Sequence, residues 1–356
     1  MKKKVILITI LSAFSGLASA ATSVTLYGRM DVGYESKEVD GDGIAFGKSL
    51  TQESNSAAGN SRYGIRGEED FGNGYAATFQ LEGRFEADTG EKSKNRTFFD
   101  RESTVGIKTP VGHIRLGRSY ASLEQAVGFI DIGRRYSSIS AYDWVKSAKS
   151  RYSNGLFYNH KFSGLSVGAV VTTKGGYNDG LKTVSGVDNV AFSDESSANS
   201  NIAYGAFAKY KSADFEVGVG YQDDGVEKAN SIRRQWAVGA SYTFAPVTVG
   251  LSYSQGQDNV TTQKGKIKNI GGYISGKLSP SNTLMAFYRQ ANWKVTPAGG
   301  AVSTKDDHTR YGLGFVHSLS KRTSVYADVA QNQKKDINGV KSDKYVGWDI
   351  AVRHNF

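Results

Sequence analysis

The chain has 356 residues, with 44 Lys and Arg against 34 Asp and Glu, and a formal net charge of +10. It contains 42 Gly, 20 Tyr and 17 Phe but only 4 Pro, and no Cys, which excludes a disulfide framework and thiolate metal sites. The five histidines are scattered without ligand-like spacing, so no metal and no cofactor is expected.

Residues 1–20 read as a cleaved secretory leader. Lys2, Lys3 and Lys4 form a positive start, Val5 to Leu11 an apolar core, and Ala18-Ser19-Ala20 a small-residue cleavage pattern. The apolar run is shorter than the roughly 20 residues needed to span a bilayer as a helix. The remaining 21–356 is expected to form one domain of 336 residues (356 − 20), with a net charge of +7 once three lysines are removed (10 − 3). No later stretch suits a transmembrane helix, and the overall hydropathy is negative. A membrane β-barrel escapes that test, because lipid-facing and lumen-facing residues alternate and average out as polar.

From Ala21 onward the sequence repeats strand, turn, strand, loop. The first strand sets Val24, Leu26, Met30, Val32 and Tyr34 on one face and Thr25, Arg29, Asp31 and Glu35 on the other. Short turns are predicted at Phe71 to Gly74, Thr109 to Gly112, Phe162 to Gly164, Lys211 to Ala213, Phe244 to Pro246, Leu278 to Asn282 and Ser318 to Lys321, where Gly, Pro, Asn and Ser end the ladder. Longer polar segments lie at 37–60, 89–96, 120–150, 175–199, 223–231, 258–265, 295–307 and 334–342. Seven short turns and eight long loops join sixteen strands. Connections short at one end and long at the other are those of bacterial outer-membrane barrels.

Later strands keep the alternation. Ile232, Trp236, Val238, Ala240, Tyr242 and Phe244 oppose Arg233, Gln235 and Ser241, and Val346, Trp348, Ile350, Val352, His354 and Phe356 oppose Gly347, Asp349, Ala351, Arg353 and Asn355. So many apolar faces would overfill the interior of a sixteen-stranded barrel, which encloses a channel, so they must point outward to lipid. Aromatic residues at strand ends, Tyr27, Tyr34, Tyr63 and Tyr75 among them, suit the two membrane interfaces. The strand expected over 97–109 alternates poorly, as does the Met285, Phe287, Arg289 face of 282–294, and the first of these hints at contact with a neighbouring subunit.

Motifs of enzymes are missing: there is no Gly-x-Ser-x-Gly, no His-Glu-x-x-His and no phosphate loop. None of His113, His160, His308, His317 and His354 has a context suggesting catalysis, and interspersed acids with a leader argue against nucleic acid as a partner.

Several segments, in order along the chain, resemble the general porins of Gram-negative bacteria. Ser23-Val24-Thr25-Leu26-Tyr27-Gly28-Arg29-Met30-Asp31 is similar to the family's first strand, and Ser61-Arg62-Tyr63-Gly64-Ile65-Arg66-Gly67-Glu68-Glu69-Asp70 to the second. Arg101 to Ile107 and Val111 to Arg118 resemble the lead into the long third loop, and the terminal Phe356 resembles the signal by which such barrels are recognised for assembly. The resemblance implies an all-β transmembrane antiparallel barrel of sixteen strands, assembled as a homotrimer in the outer membrane, with loop three (about Tyr120 to Ser150) folded into the lumen. It implies passage of ions and small hydrophilic solutes. The outer-membrane lipid, including lipopolysaccharide, and the outer-membrane assembly machinery are the other implied partners.

The same resemblance implies a constriction with basic residues on the wall and acidic ones on loop three. The basic set carries over to Arg62, Arg101, Arg118 and Arg151; the loop offers Glu124, Asp131 and Asp143. The family's Pro-Glu-Phe-Gly-Gly run is absent after Asp131, and Arg134 and Arg135 occupy that region. Basic clusters favour anions, so an anion preference is expected. Two other readings stay open on the sequence: a substrate-specific channel, and a barrel serving as adhesin or phage receptor through its loops.

Overall fold

The computed structural model describes residues 22–39, 43–45, 61–92, 97–132, 150–173, 202–225, 232–260, 263–297, 304–335 and 341–356. The expected leader over 1–20 lies outside the described residues, as do Arg134, Arg135, Asp143 and the polar segment 175–199.

One antiparallel sheet contains every strand. In chain order these are β1 (Thr22–Val39), β2 (Gly43–Ala45), β3 (Arg62–Gly72), β4 (Tyr75–Arg84), β5 (Glu102–Thr109), β6 (Gly112–Tyr120), β7 (Arg151–Phe162), β8 (Leu165–Thr172) and β9 (Tyr204–Lys211). They continue with β10 (Phe215–Asp223), β11 (Arg234–Phe244), β12 (Val247–Val260), β13 (Gln263–Lys277), β14 (Asn282–Pro297), β15 (Thr304–Ser318), β16 (Thr323–Lys335) and β17 (Lys341–Asn355). The three-residue β2 pairs only with the far end of β1, so the wall has sixteen staves.

From β3 to β17 each stave pairs with its sequence neighbours, and β1 closes the ring by pairing with both ends. Its first half, Thr22 to Arg29, runs against β3, and its second half, Arg29 to Val39, against β17. Splitting one strand between two partners staggers the register, as closure of a barrel requires. The last residue completes the seam: Phe356 N–H donates to Gly28 O at 3.2 Å and Gly28 N–H to Phe356 O at 3.0 Å.

The period-two pattern decides the faces. Leu26, Val105, Leu116, Leu251, Leu313 and Ile350 are all exposed on the outside, Leu26 at 66%. Their strand neighbours carry the polar set, with Asp31, Glu82, Glu102, Gln235, Asp349 and Arg353 buried on the opposite face. Tyr27 belongs to that polar face and not to an aromatic girdle, since its hydroxyl accepts a hydrogen bond from Gln80 Nε2 at 2.8 Å. All seven short turns are present; the second of these staves turns through Gly72, Asn73 and Gly74, each at positive φ.

Three boundaries differ from the sequence reading. Residues 97–101 lie outside the strand, and β5 from Glu102 alternates normally, so the irregularity at Phe98 and Phe99 comes from the turn that precedes β5. Segment 258–265 is largely ladder, with Val260 opposite Gln263, because backbone pairing continues above the apolar belt irrespective of side-chain polarity. Ile232 precedes β11 and is buried, packed by Gly256, while Trp236 and Val238 face outward.

Wall height is uneven. The strands β5, β8 and β9 have 8 residues each, whereas β13, β14, β15 and β17 have 15 or 16.

Candidate functional site

The first element of the site is a basic wall built by β1, β3, β4 and β17. Alternation places Arg29, Arg62 and Arg84 in one row across β1, β3 and β4, each the cross-strand partner of the next. Like charges directly opposite repel, so acids on adjoining positions compensate. Glu82 takes the Nε of Arg101 in a short ion pair and lies 4.0 Å from the Nε of Arg62, and Arg84 pairs with Asp100 at 3.1 Å. Arg29 makes no ion pair among the described residues; its Nε donates to Asn355 Oδ1 at 3.0 Å. Arg353 is held by Asp31, whose other oxygen accepts the Tyr326 hydroxyl at 2.7 Å.

Opposite this wall runs the segment leaving β6. Ala121 is followed by a short helix, α1 (Ser122–Val127), and a 3-10 turn, Gly128–Ile130. The segment packs on the polar face of the wall, from β9 at its helix to β17 at Ile132. Leu123, Ala126 and Val127 form one apolar cluster with Phe207, Ala237 and Ala291, and Ile132 packs against Met285, Val316, Tyr326 and Ala351. Apolar side chains on a face that is otherwise polar thus have a partner. This explains why the Met285, Phe287, Arg289 face broke the alternation: it is covered.

Small residues on the wall let the segment approach. A Cβ at Gly218 would lie 2.0 Å from Ala126 O, and one at Gly239 2.8 Å from the Ile130 side chain. Polar ties fix the height: Leu123 N–H donates to Gln222 Oε1 at 3.2 Å, Asn159 Nδ2 to Gln125 Oε1 at 2.9 Å, and Arg289 Nη2 to Ile130 O at 2.8 Å.

Between the two lies a cavity of about 510 Å³. Arg29, Arg62, Arg101, Arg322 and Arg353 line it together with Lys321, Tyr120, Glu124, Gly128 and Asp131. Six cations thus share the space with two carboxylates. Glu82 and Asp31 offset two of these cations, Arg101 and Arg353, from behind, and fixed guanidinium groups cannot shed their charge.

Of the basic residues expected from the sequence, Arg62 and Arg101 line this cavity. Arg151 lies behind them, stacked 4.0 Å over the ring of Tyr120, whose hydroxyl accepts from Arg101 at 3.0 Å. Arg118 is held apart, donating to Asp100 O at 2.7 Å and Ser153 Oγ at 2.8 Å. Unbroken alternation would set Arg118 on the outward face with Ile114 and Leu116, but a register shift lies beside Gly117 (φ +123°), and Arg118 is buried. Glu124 and Asp131 both reach the cavity from the loop side. Arg29, Arg353 and the turn residues Lys321 and Arg322 were not singled out from the sequence. Alternation already placed Arg29 and Arg353 on the polar face, and only the seam between β1 and β17 shows that they adjoin Arg62.

Comparison with known proteins agrees with this architecture. The family model described as Gram-negative porin matches residues 8–337. Outer membrane porin protein 32 of Delftia acidovorans is 29% identical, with all of each chain covered. Two solved structures share the fold. The anion-selective porin from Comamonas acidovorans has a TM-score of 0.63 at 21% identity, covering 94% of this chain and 100% of that one. OmpT of Vibrio cholerae in its trimer form has a TM-score of 0.64 at 15% identity, with the same coverage. A sixteen-stave barrel with an apolar outside, a charged inside and a family match along most of its length places the chain in the outer membrane: it belongs to the Gram-negative porin family.

Proposed function

We propose that the barrel conducts ions and small hydrophilic solutes by passive diffusion with a preference for anions, and that loop three enters the lumen to narrow the path. The cavity between Arg29, Arg62, Arg101 and Arg353 on one side and Glu124 and Asp131 on the other carries this reading. Its excess of cations raises the local concentration of anions, and the opposed charges set a transverse field across the water. Seating of residues 121–132 on the polar face of the wall, from β9 to β17, supports the loop's inward course. Arg62, Arg101 and Arg151, the last through Tyr120, are assigned to the constriction, with Arg118 bracing the carbonyl of Asp100 beside Arg101. The porin of similar fold from Comamonas acidovorans is anion-selective, which agrees in sign.

The assembled unit is assigned as a homotrimer. Eight residues rise about 26 Å along a strand and, at a tilt of about 45°, cover roughly 19 Å, short of the ~25 Å apolar band. A wall containing β5, β8 and β9 therefore suits protein contact better than lipid, and OmpT of similar fold has a trimer form. Phe356, in register on Gly28, is assigned as the assembly signal read by the outer-membrane machinery, and lipopolysaccharide as the lipid around the outer rim.

Reversal potentials of the purified protein in planar bilayers under a KCl gradient test the preference. Chloride over potassium is the expected order; the reverse would overturn it. Conductance steps in threes would carry the trimer.

A further inference from the structure

We propose that Arg289 is the residue that positions loop three and sets how much of its negative charge the permeating ion meets. The inference rests on the reading that residues 121–132 lie in the lumen.

Arg289 is a charge in an apolar row. Its neighbours on the same face of β14 are Met285, Phe287 and Ala291, all buried, and the Arg289 side chain is itself only 1% exposed. An ionised group taken out of water costs several kcal/mol unless partners replace the lost solvation. The partners here come from both sides. Nη1 donates to Ser252 Oγ on β12 at 3.1 Å, Nη2 donates to Ile130 O at 2.8 Å, and Nη2 lies 3.8 Å from the carboxylate of Asp131. Space for the guanidinium exists because β13 has glycine at 271: a Cβ there would sit 2.5 Å from Nη1 and 2.4 Å from Cδ.

One planar fork therefore grips the backbone of the inner segment and the acid that follows it. A lysine has the charge but not two donors held in one plane. The electrical consequence is separate from the mechanical one. Asp131 borders the cavity that the basic wall faces, and Arg289 offsets its charge from behind. Without Arg289, more of the charge of Asp131 would act on the path. One uncompensated charge about 8 Å from an ion in water changes that ion's local concentration by roughly twofold, from 332/εr compared with RT.

The test is single-channel recording of the full-length barrel, with folding checked by heat-modifiable mobility on gels. R289Q is expected to lower the chloride-to-potassium permeability ratio by roughly twofold or more, and to change the unit conductance. R289K should keep the ratio while changing the conductance. R289Q with D131N should restore the ratio but not the conductance. D131N alone should raise the ratio, because it removes a negative charge at the cavity while Arg289 stays, and this variant serves if R289Q does not assemble. An R289Q or D131N channel with the parent ratio would overturn the inference.

A cysteine pair separates this from the loop's placement. The chain has no native Cys, and a Cβ at 239 would lie 3.4 Å from the Cβ of Val127, close to the ~3.8 Å typical of disulfides. Oxidation of V127C/G239C should cross-link the inner segment to the wall. If the cross-link fails in a folded barrel, the loop reading falls; if it forms and R289Q behaves as the parent, only the role of Arg289 falls.

Discussion

Asp31 and Arg353 join the first stave to the last: the carboxylate accepts from Nε at 2.7 Å and lies 2.6 Å from Nη2, with both side chains buried. Because Tyr326 on β16 shares the same carboxylate and its ring lies 5.0 Å from the Arg353 guanidinium carbon, three staves meet at one acid. Removing one member of a buried pair strands the other, at about 3–5 kcal/mol. Asp31→Ala should therefore lower the temperature at which the folded band converts to the unfolded one on gels. Tyr326→Phe, which removes one hydrogen bond to a charged group, about 1.5–3 kcal/mol, should lower it less. A D31A barrel as heat-resistant as the parent would remove Asp31 from the closure.

Arg29 stands on the wall itself and makes no ion pair among the described residues, in contrast to Arg101 and Arg353 beside it. Arg29→Glu should lower chloride preference more than Lys321→Glu, whose position on an exposed turn is open to solvent and counter-ions. The difference should shrink as KCl rises from about 0.1 M to 1 M, where the Debye length falls from about 10 to 3 Å. Equal effects of the two substitutions at low salt would contradict the assignment of the basic wall.

Gly28 leaves room for the terminal residue. A Cβ there would lie 2.3 Å from the Phe356 ring and 2.6 Å from Arg62 O. Gly28→Ala should reduce the yield of folded barrel, and F356A should restore it only in part, since the clash with backbone remains. Full restoration would show that the ring alone sets the need for glycine.

Gly218 separates pore size from pore charge. A side chain at this position meets the backbone of α1 and touches none of the cavity arginines. Gly218→Val should alter unit conductance through displacement of the inner segment while leaving the ion preference close to the parent value. A changed preference with unchanged conductance would be the opposite of what the packing requires.

The wall was legible in the sequence because its rule is local. Period-two alternation and the difference between short turns and long loops depend on neighbours within a few residues, so β1 and β17 could be read residue by residue. The errors lie where something distant or irregular intervenes. Ile232 fits the alternation of β11 but precedes it, and packing by Gly256 on a neighbouring stave buries it. Arg118 carries a family motif on a position that strict alternation would turn outward, and only the shift beside Gly117 breaks that phase. Arg289 looked like a defect in its strand because its reason, the carbonyl of Ile130, lies 159 residues away. Arg29 and Arg353 become neighbours of Arg62 only when the two ends of the chain meet.

That meeting also fixes an order of events. Phe356 bonds to Gly28 across almost the whole chain, and β1 needs both β3 and β17 to satisfy its backbone. Contacts of such long sequence separation form slowly, since chain entropy is lost before they can repay it. Until the final residue arrives, the first strand keeps half of its hydrogen-bonding groups unpaired and open to any other strand. A chain shortened by even one stave would thus be released as a sticky, unfinished ribbon, and the interval before closure is when this protein most needs an escort.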